Sequence, residues 1–306
     1  PAVLATRSIE SEKDRLTTIM VLPLMSCSAR LPIYSLLIPA FFPQKFQALT
    51  MWIIYVLGIV LALIGARVMK STLFKGSDEV YLMELPPYRM PTFKSLLIHM
   101  WERSLCYLRK AGTLILLASI LLFVINTLPE KTHFSRNYAQ EIAALEESEA
   151  ERKEKIMHLE GQRKMESLEY SVAGRIGRTL EVVMKPIGFD WRICSALIGA
   201  FAAKELFVSQ LGILFSMTEV EEATPLQTVL KANYTPLQAF CMMVFCLVSM
   251  PCVGTVAVVR RETNSWKLTL LQLFGLTLSA YLLCLVISLE VCSGSAHLCY
   301  KVFLVR

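Results

Sequence analysis

The chain has 306 residues, 55% of them hydrophobic, and a mean hydropathy of +0.51. Soluble domains are usually about 45–50% apolar, so this excess sets aside a water-soluble domain and calls for lipid. The net charge of +6 fits loops that face anionic lipid. No basic stretch interleaved with aromatics points to nucleic acid.

The first apolar stretch, Leu16–Pro43, is interrupted by Pro23, Arg30 and Pro32. Its centre reads Leu22-Pro-Leu-Met-Ser-Cys-Ser-Ala-Arg-Leu-Pro32. A proline lacks a backbone donor and clashes with the preceding turn, so no straight helix is expected here. In lipid, broken backbone is tolerated only against protein or water. A charged Arg at membrane depth costs about 2.5–3.5 kcal/mol on insertion scales, so Arg30 needs a partner inside the bundle. Discontinuous helices build cation sites in transporters, which makes Ser26, Cys27 and Ser28 candidate path residues. The plainer alternative is a proline kink with Arg30 snorkelling to the headgroups.

Phe46–Ala66 is an uncharged run long enough to span, since a crossing takes about 20 residues. Arg67–Lys110 follows, with Glu84, Pro86, Pro87, Arg89 and Pro91 ahead of a basic, amphipathic segment. Ala111–Pro129 is a further span. Glu130–Asp190 is charged and near balance, with helix formers from Tyr138 to Tyr170. It reads as a solvated helix or helical hairpin between two membrane halves.

Ile193–Met217 is apolar but interrupted by Lys204–Glu205. Adjacent residues on a helix point about 100° apart, so the two charges need separate partners, and Glu205 is expected opposite Arg30. The alternative places the pair at a helix end near the headgroups. Ala232–Val259 is loosened by Pro251 and Gly254, which sets Cys252 beside a freed carbonyl, as Pro23 does for Cys27. Against this, a membrane cysteine often packs as a small hydrophobe. Leu268–Leu289 is a plain span, and Cys292–Arg306 is a tail without a strong signal.

Lys and Arg favour the cytoplasmic side, and the basic clusters are Arg67–Lys75, Arg103–Lys110 and Arg260–Lys267. Keeping all three inside requires Ile193–Met217 to enter and leave on one face. Otherwise that segment spans and Arg260 and Arg261 lie outside. The expected fold class is all-α, a polytopic membrane bundle of two pseudo-repeated units with broken or re-entrant helices. Ser26–Arg30 and Ala200–Lys204 each join small residues to a cation, and repeats of this type place the substrate site at their interface.

Enzyme readings find little support. The aspartates are Asp14, Asp78 and Asp190, so the spans hold no aspartyl pair, and His99, His133, His158 and His297 all lie outside the apolar runs. Gly65–Thr72 lacks the second glycine of a P-loop and follows a membrane run, not a strand. The nine cysteines include no CxxC pair, which argues against a zinc ribbon. The chain opens on Pro1, without a signal-peptide pattern, and reads as a piece of something longer.

Met25-Ser-Cys-Ser-Ala-Arg-Leu-Pro-Ile-Tyr34, Glu84-Leu-Pro-Pro-Tyr-Arg-Met-Pro91, Phe201-Ala-Ala-Lys-Glu205, Val259-Arg-Arg-Glu-Thr-Asn-Ser-Trp-Lys267 and Ala5-Thr-Arg-Ser-Ile-Glu10 resemble the FeoB family of ferrous iron transporters. The resemblance covers roughly residues 1–290. It implies two Gate repeats, the first over residues 1–70 and the second over 189–290. Between them would lie a connector with one membrane helix (71–128) and a charged inter-repeat region (129–188), with a tail at 291–306. It further implies a GTPase domain, with GTP and Mg²⁺, elsewhere in the protein, a small cytosolic Feo partner, a possible homo-oligomer, and a multi-pass place in the bacterial inner membrane. Cys27 and Cys252 match family cysteines proposed to line the iron path.

Fe²⁺ is intermediate in softness. A path of Cys, Ser, carbonyls and Glu205, without His, would hold it weakly enough for release. Pro23, Pro32, Pro251, Gly254, Arg30 and Lys204 would shape and gate that path. The alternatives are a Gate-type transporter of a nucleoside or Mn²⁺, or a membrane scaffold. Asn, Gln or aromatics at the breaks would favour a nucleoside, whereas Cys and Ser stand there.

Overall fold

The computed structural model describes residues 2–9, 11–73, 92–129, 166–216, 226–249 and 251–294, with isolated positions between 138 and 163. The Glu84–Pro91 motif, most of the 138–170 insert and the end of the tail lie outside the described residues. The described secondary structure is helical throughout, as the span lengths predict.

A short helical turn (Ala2–Ala5) precedes α1 (Glu12–Val21), whose amino end is capped by Ser11 accepting from the Asp14 amide. Two tight turns, Leu22–Leu24 and Ser28–Arg30, carry the chain to α2 (Leu31–Phe41). After Pro43 comes the long α3 (Gln44–Thr72). Gly65 of α3 lies beside Val21 and Leu24, Gly58 beside Leu24, and Lys70 is 3.5 Å from Asp14. The broken α1–α2 segment therefore runs antiparallel to α3. Gly58 has a reason to be glycine: a Cβ there would stand 3.1 Å from the Leu24 carbonyl.

The expected span at Ala111–Pro129 forms the second half of one helix, α4 (Phe93–Thr127). Then come α5 (Val172–Met184), α6 (Trp191–Ala202), α7 (Leu206–Ser216) and α8 (Leu226–Asn233). Asp190 caps α6, accepting from the Ile193 amide at 3.0 Å. Helices α6 and α7 pack side by side, with Gly199 of α6 beside Leu206 and Gln210 of α7. Each covers roughly 17 Å at 1.5 Å per residue, short of a bilayer core of about 30 Å. They form a hairpin that turns back at Ala203–Glu205.

Helix α9 (Pro236–Val248) opens with a capping box between Thr235 and Gln238. After a break it continues as α10 (Val253–Thr263), and α11 (Trp266–Gly294) returns alongside both. A broken span followed by a straight one thus occurs twice, as α1–α2/α3 and as α9–α10/α11. The break at Leu22–Arg30 corresponds in position to that at Ser249–Cys252, not to Ala200–Lys204 as the small-residue clusters suggest. Both corresponding breaks carry a proline and a cysteine, and the hairpin carries neither.

Among the described residues four stretches are long and apolar enough to cross a membrane: Glu12–Phe41, Gln44–Thr72, Pro236–Thr263 and Trp266–Glu290. Outward faces of α3 and α11 expose Trp52, Leu63 and Phe274 by 60% or more, as a lipid solvent permits. Helix α9 is the opposite case: Met242 to Leu247 are all essentially buried. It forms the axis of the molecule, packed against α2, α3 and α11.

Two polar contacts fix the remaining order. Glu262, at the end of α10, is held bidentately by Arg7 at 2.9 and 2.6 Å and by Arg15 at 3.3 Å. Val3, Ile19 and Val259 form a small apolar cluster alongside. On α11, Gln272 Nε2 donates to the carbonyls of Ile19 and Met20 at 3.0 and 2.9 Å. Ile19 is the carbonyl that a helical residue at position 23 would have satisfied, and Pro23 has no N–H to give. Replacing Gln272 by Leu should lower unfolding free energy by about 1–3 kcal/mol, the cost of a buried unpaired acceptor. Thermal unfolding in detergent is the check, with Gln272→Leu melting below wild type.

Candidate functional site at the helix breaks

A helix that stops leaves its last carbonyls without partners. At the end of α9 the Ser249 amide takes the Phe245 carbonyl at 2.7 Å, and the next one, Cys246, accepts from Lys204 Nζ at 2.7 Å. Lys204 sits at the tip of the α6–α7 hairpin, where Ala203 is extended (φ −153°, ψ 134°). A cation at a helix C-terminus also meets the negative end of the helix dipole. Lys204 is only 5% exposed.

The first break uses the same solution within its own turn. Arg30 folds back and donates from Nη2 to the Pro23 carbonyl at 2.7 Å and from Nη1 to the Met25 carbonyl at 2.9 Å. It is 2% exposed. Pro23 is buried and causes this break. Pro32 lies in the first turn of α2, where a missing N–H costs nothing. Pro251 breaks the second span, and Gly254 belongs to the first turn of α10.

The hairpin tip joins the second break through the Lys204–Cys246 hydrogen bond, and the Leu22–Leu24 turn of the first break packs against α9. Tyr34 of α2, fully buried, has Arg30, Cys27, Cys246 and Ser26 as neighbours. The Tyr34 hydroxyl, the Ser26 hydroxyl and Arg30 Nε are buried without completing a hydrogen bond. Cys252 Sγ is 3.3 Å from Thr255 Oγ1. Among the described residues no three His, Cys, Asp or Glu side chains gather as a chelating set.

Several expectations need correction. Glu205 is exposed and is not Arg30's partner: the guanidinium already reaches two carbonyls five and seven residues behind it. Cys27 is exposed, as is Ser28, while Cys252 is half-buried, so neither thiol is enclosed in the packed core. The oxygens freed by the breaks do not stand open beside the thiols either, because Arg30 and Lys204 occupy them. Tyr34, Gln272 and Cys246 belong to this region and carry no local signature in the sequence. Cys246 reads there as an ordinary packing cysteine.

The family model for the C terminus of ferrous iron transport protein B matches residues 51–103. The Gate model, described as nucleoside recognition, matches residues 108–266 and so covers just over half of the chain. The chain belongs to the FeoB family. The Fe(2+) transporter FeoB of Helicobacter pylori is 34% identical over 94% of this chain and 45% of its own length. That of Methanocaldococcus jannaschii is 38% identical over 94% of this chain and 39% of its own length. A Fe(2+) transport protein A/FeoB fusion protein of Porphyromonas gingivalis is 41% identical over 87% of this chain and 33% of its own length. The chain therefore spans between a third and a half of these curated relatives. No solved structure matches it.

The other four motifs that resemble the FeoB family fall on structural joints. Met25–Tyr34 is the first break with the start of α2, and Phe201–Glu205 is the hairpin tip. Ala5–Glu10 and Val259–Lys267 meet each other through Arg7 and Glu262. Exchanging Arg30 for Met should leave the Pro23 and Met25 carbonyls unpaired and cost about 2–4 kcal/mol. Folded yield on detergent size exclusion should fall sharply for Arg30→Met and less for Arg30→Lys, which keeps one of the two contacts.

Proposed function

We propose that this chain is the permease part of a GTPase-linked ferrous iron transporter and moves Fe²⁺ across the bacterial inner membrane into the cell. The observation that carries this reading is the contact between helix breaks of separate segments: Lys204 at the hairpin tip bonds the Cys246 carbonyl at the end of α9, and the Leu22–Leu24 turn of the first break packs against the same helix. Broken helices with spare carbonyls are how transporters hold ions at membrane depth. Thiols suit Fe²⁺ better than Mg²⁺ or Ca²⁺, which prefer all-oxygen sets. A dispersed set of donors favours passage over storage.

In this proposal Cys27 and Cys252 contact the ion in transit, with Ser26 and Ser28 as oxygen donors. Glu205, exposed, serves as an outer carboxylate at the mouth of the path. Arg30, Pro23, Pro32, Pro251, Gly254 and Lys204 shape and gate the breaks. The two Gate units are residues 1–70 and 189–290, separated by the connector at 71–128 and the charged region at 129–188, with residues 291–306 as a tail. A GTPase domain of the same protein, using GTP and Mg²⁺, would drive gating. The fusion named in Porphyromonas gingivalis supports a small cytosolic partner of the transport protein A type. The nucleoside reading suggested by the Gate description is less well supported, because the breaks present sulfur, hydroxyl and cationic groups, not base-stacking aromatics with amides.

The test is Fe²⁺ uptake into liposomes by the complete transporter. Cys27→Ser and Cys252→Ser should each reduce the initial rate at least several-fold with folded yield unchanged, since Ser is nearly isosteric but a poorer ligand. Cys194→Ser, Cys241→Ser and Cys284→Ser should change little, those residues being buried packing groups. Equal losses at all five positions, or none at 27 and 252, would remove the thiols from the path.

A further inference from the structure

Nothing in the family's description assigns a task to Lys204 beyond membership of its motif, yet its placement is specific. We propose that Lys204 is a tethered cation plug: its ammonium occupies the carbonyl that a passing divalent ion would use, and excludes cations from Cys27 and Cys252 until the hairpin tip moves. This rests on the transport reading above and assigns that site its closed state.

Three observations carry it. The Cys246 carbonyl is released by the end of α9 and lies at the negative end of the helix dipole, which makes it an attractive cation ligand in this region. Lys204 Nζ holds it at 2.7 Å, nearer than a water molecule could intervene. Second, the charge around it is one-sided. Arg30 and Lys204 are both buried and within range of one another, and Glu205 points outward. A divalent ion arriving beside Cys27 or Cys252 meets two positive groups with no facing carboxylate, and the repulsion is strong in a poorly solvated site.

Third, the two cations are anchored differently. Arg30 is tied twice within its own turn. Among the described residues the Lys204 ammonium makes one hydrogen bond, and that bond crosses from the hairpin to another helix. Displacing the hairpin tip by a few ångströms would break it and free the Cys246 carbonyl, an oxygen ligand that becomes available once the ammonium withdraws.

The experiment uses the complete transporter and a readout that does not require iron. Reaction of Cys252 with a small cationic methanethiosulfonate (a trimethylammonium-ethyl reagent) is compared with that of a neutral hydroxyethyl analogue. Modification at Cys252 is quantified by peptide mass spectrometry. The cationic-to-neutral rate ratio should rise roughly tenfold in Lys204→Met, which corresponds to about 1.4 kcal/mol of charge interaction, and stay near wild type in Lys204→Arg. Lys204→Gln, which keeps a hydrogen-bond donor, guards against loss of fold and should behave like Lys204→Met. An unchanged ratio in folded Lys204→Met or Lys204→Gln overturns the plug. Fe²⁺ leak into liposomes without nucleotide should rise several-fold in the same variants. If the labelling ratio rises while no version, wild type included, carries Fe²⁺, the plug stands and the iron reading falls.

Discussion

A backbone carbonyl in hydrocarbon must have a donor, and this requirement governs the structure. Two proline-bearing spans and one hairpin interrupt their helices inside the apolar region, and each interruption leaves oxygen atoms to satisfy. The donors found are side chains from unexpected places: Arg30 from its own turn, Lys204 from the hairpin, Gln272 from the last helix. Each choice of donor also chooses a neighbour. Gln272 sets α11 against the end of α1, and Lys204 sets the α6–α7 tip against the end of α9. The packing of the bundle follows from where its broken ends are healed.

Much of this was legible in the chain, and the illegible part has a physical cause. Uncharged runs located the straight helices α3 and α11, and Pro23 and Pro251 located the breaks, because both signals are local and depend on one residue type. Lys204–Glu205 marked the hairpin turn for the same reason. Pairing was harder. Arg30 to Glu205 looked natural since opposite charges attract, but a guanidinium with two carbonyls within seven residues gains more from them at no extra cost in chain ordering. Gln272 left no trace because any amide on a span reads as tolerable polarity until its partner 253 positions away is known. Likewise Arg7 and Glu262 each stood inside a recognisable motif without any hint that the motifs touch.

The site itself mixes soft sulfur, hydroxyl and cationic groups, with no carboxylate facing inward. That composition is poor for storing a divalent ion and suited to brief contact. Cys27 is exposed and Cys252 half-buried, and the two broken spans contribute one thiol each, so the path proposed above would draw on both.

The unequal way in which the two cations are tied has a kinematic consequence. With both Arg30 contacts falling inside residues 23–30, that loop is a closed unit whose internal bonds survive any rigid translation of α1 and α2. The Lys204 contact spans two bodies, so relative sliding of the hairpin and α9 strains it at once. Motion in this molecule should therefore concentrate along the seam between α6–α7 and α9, with the first broken span travelling as a solid piece.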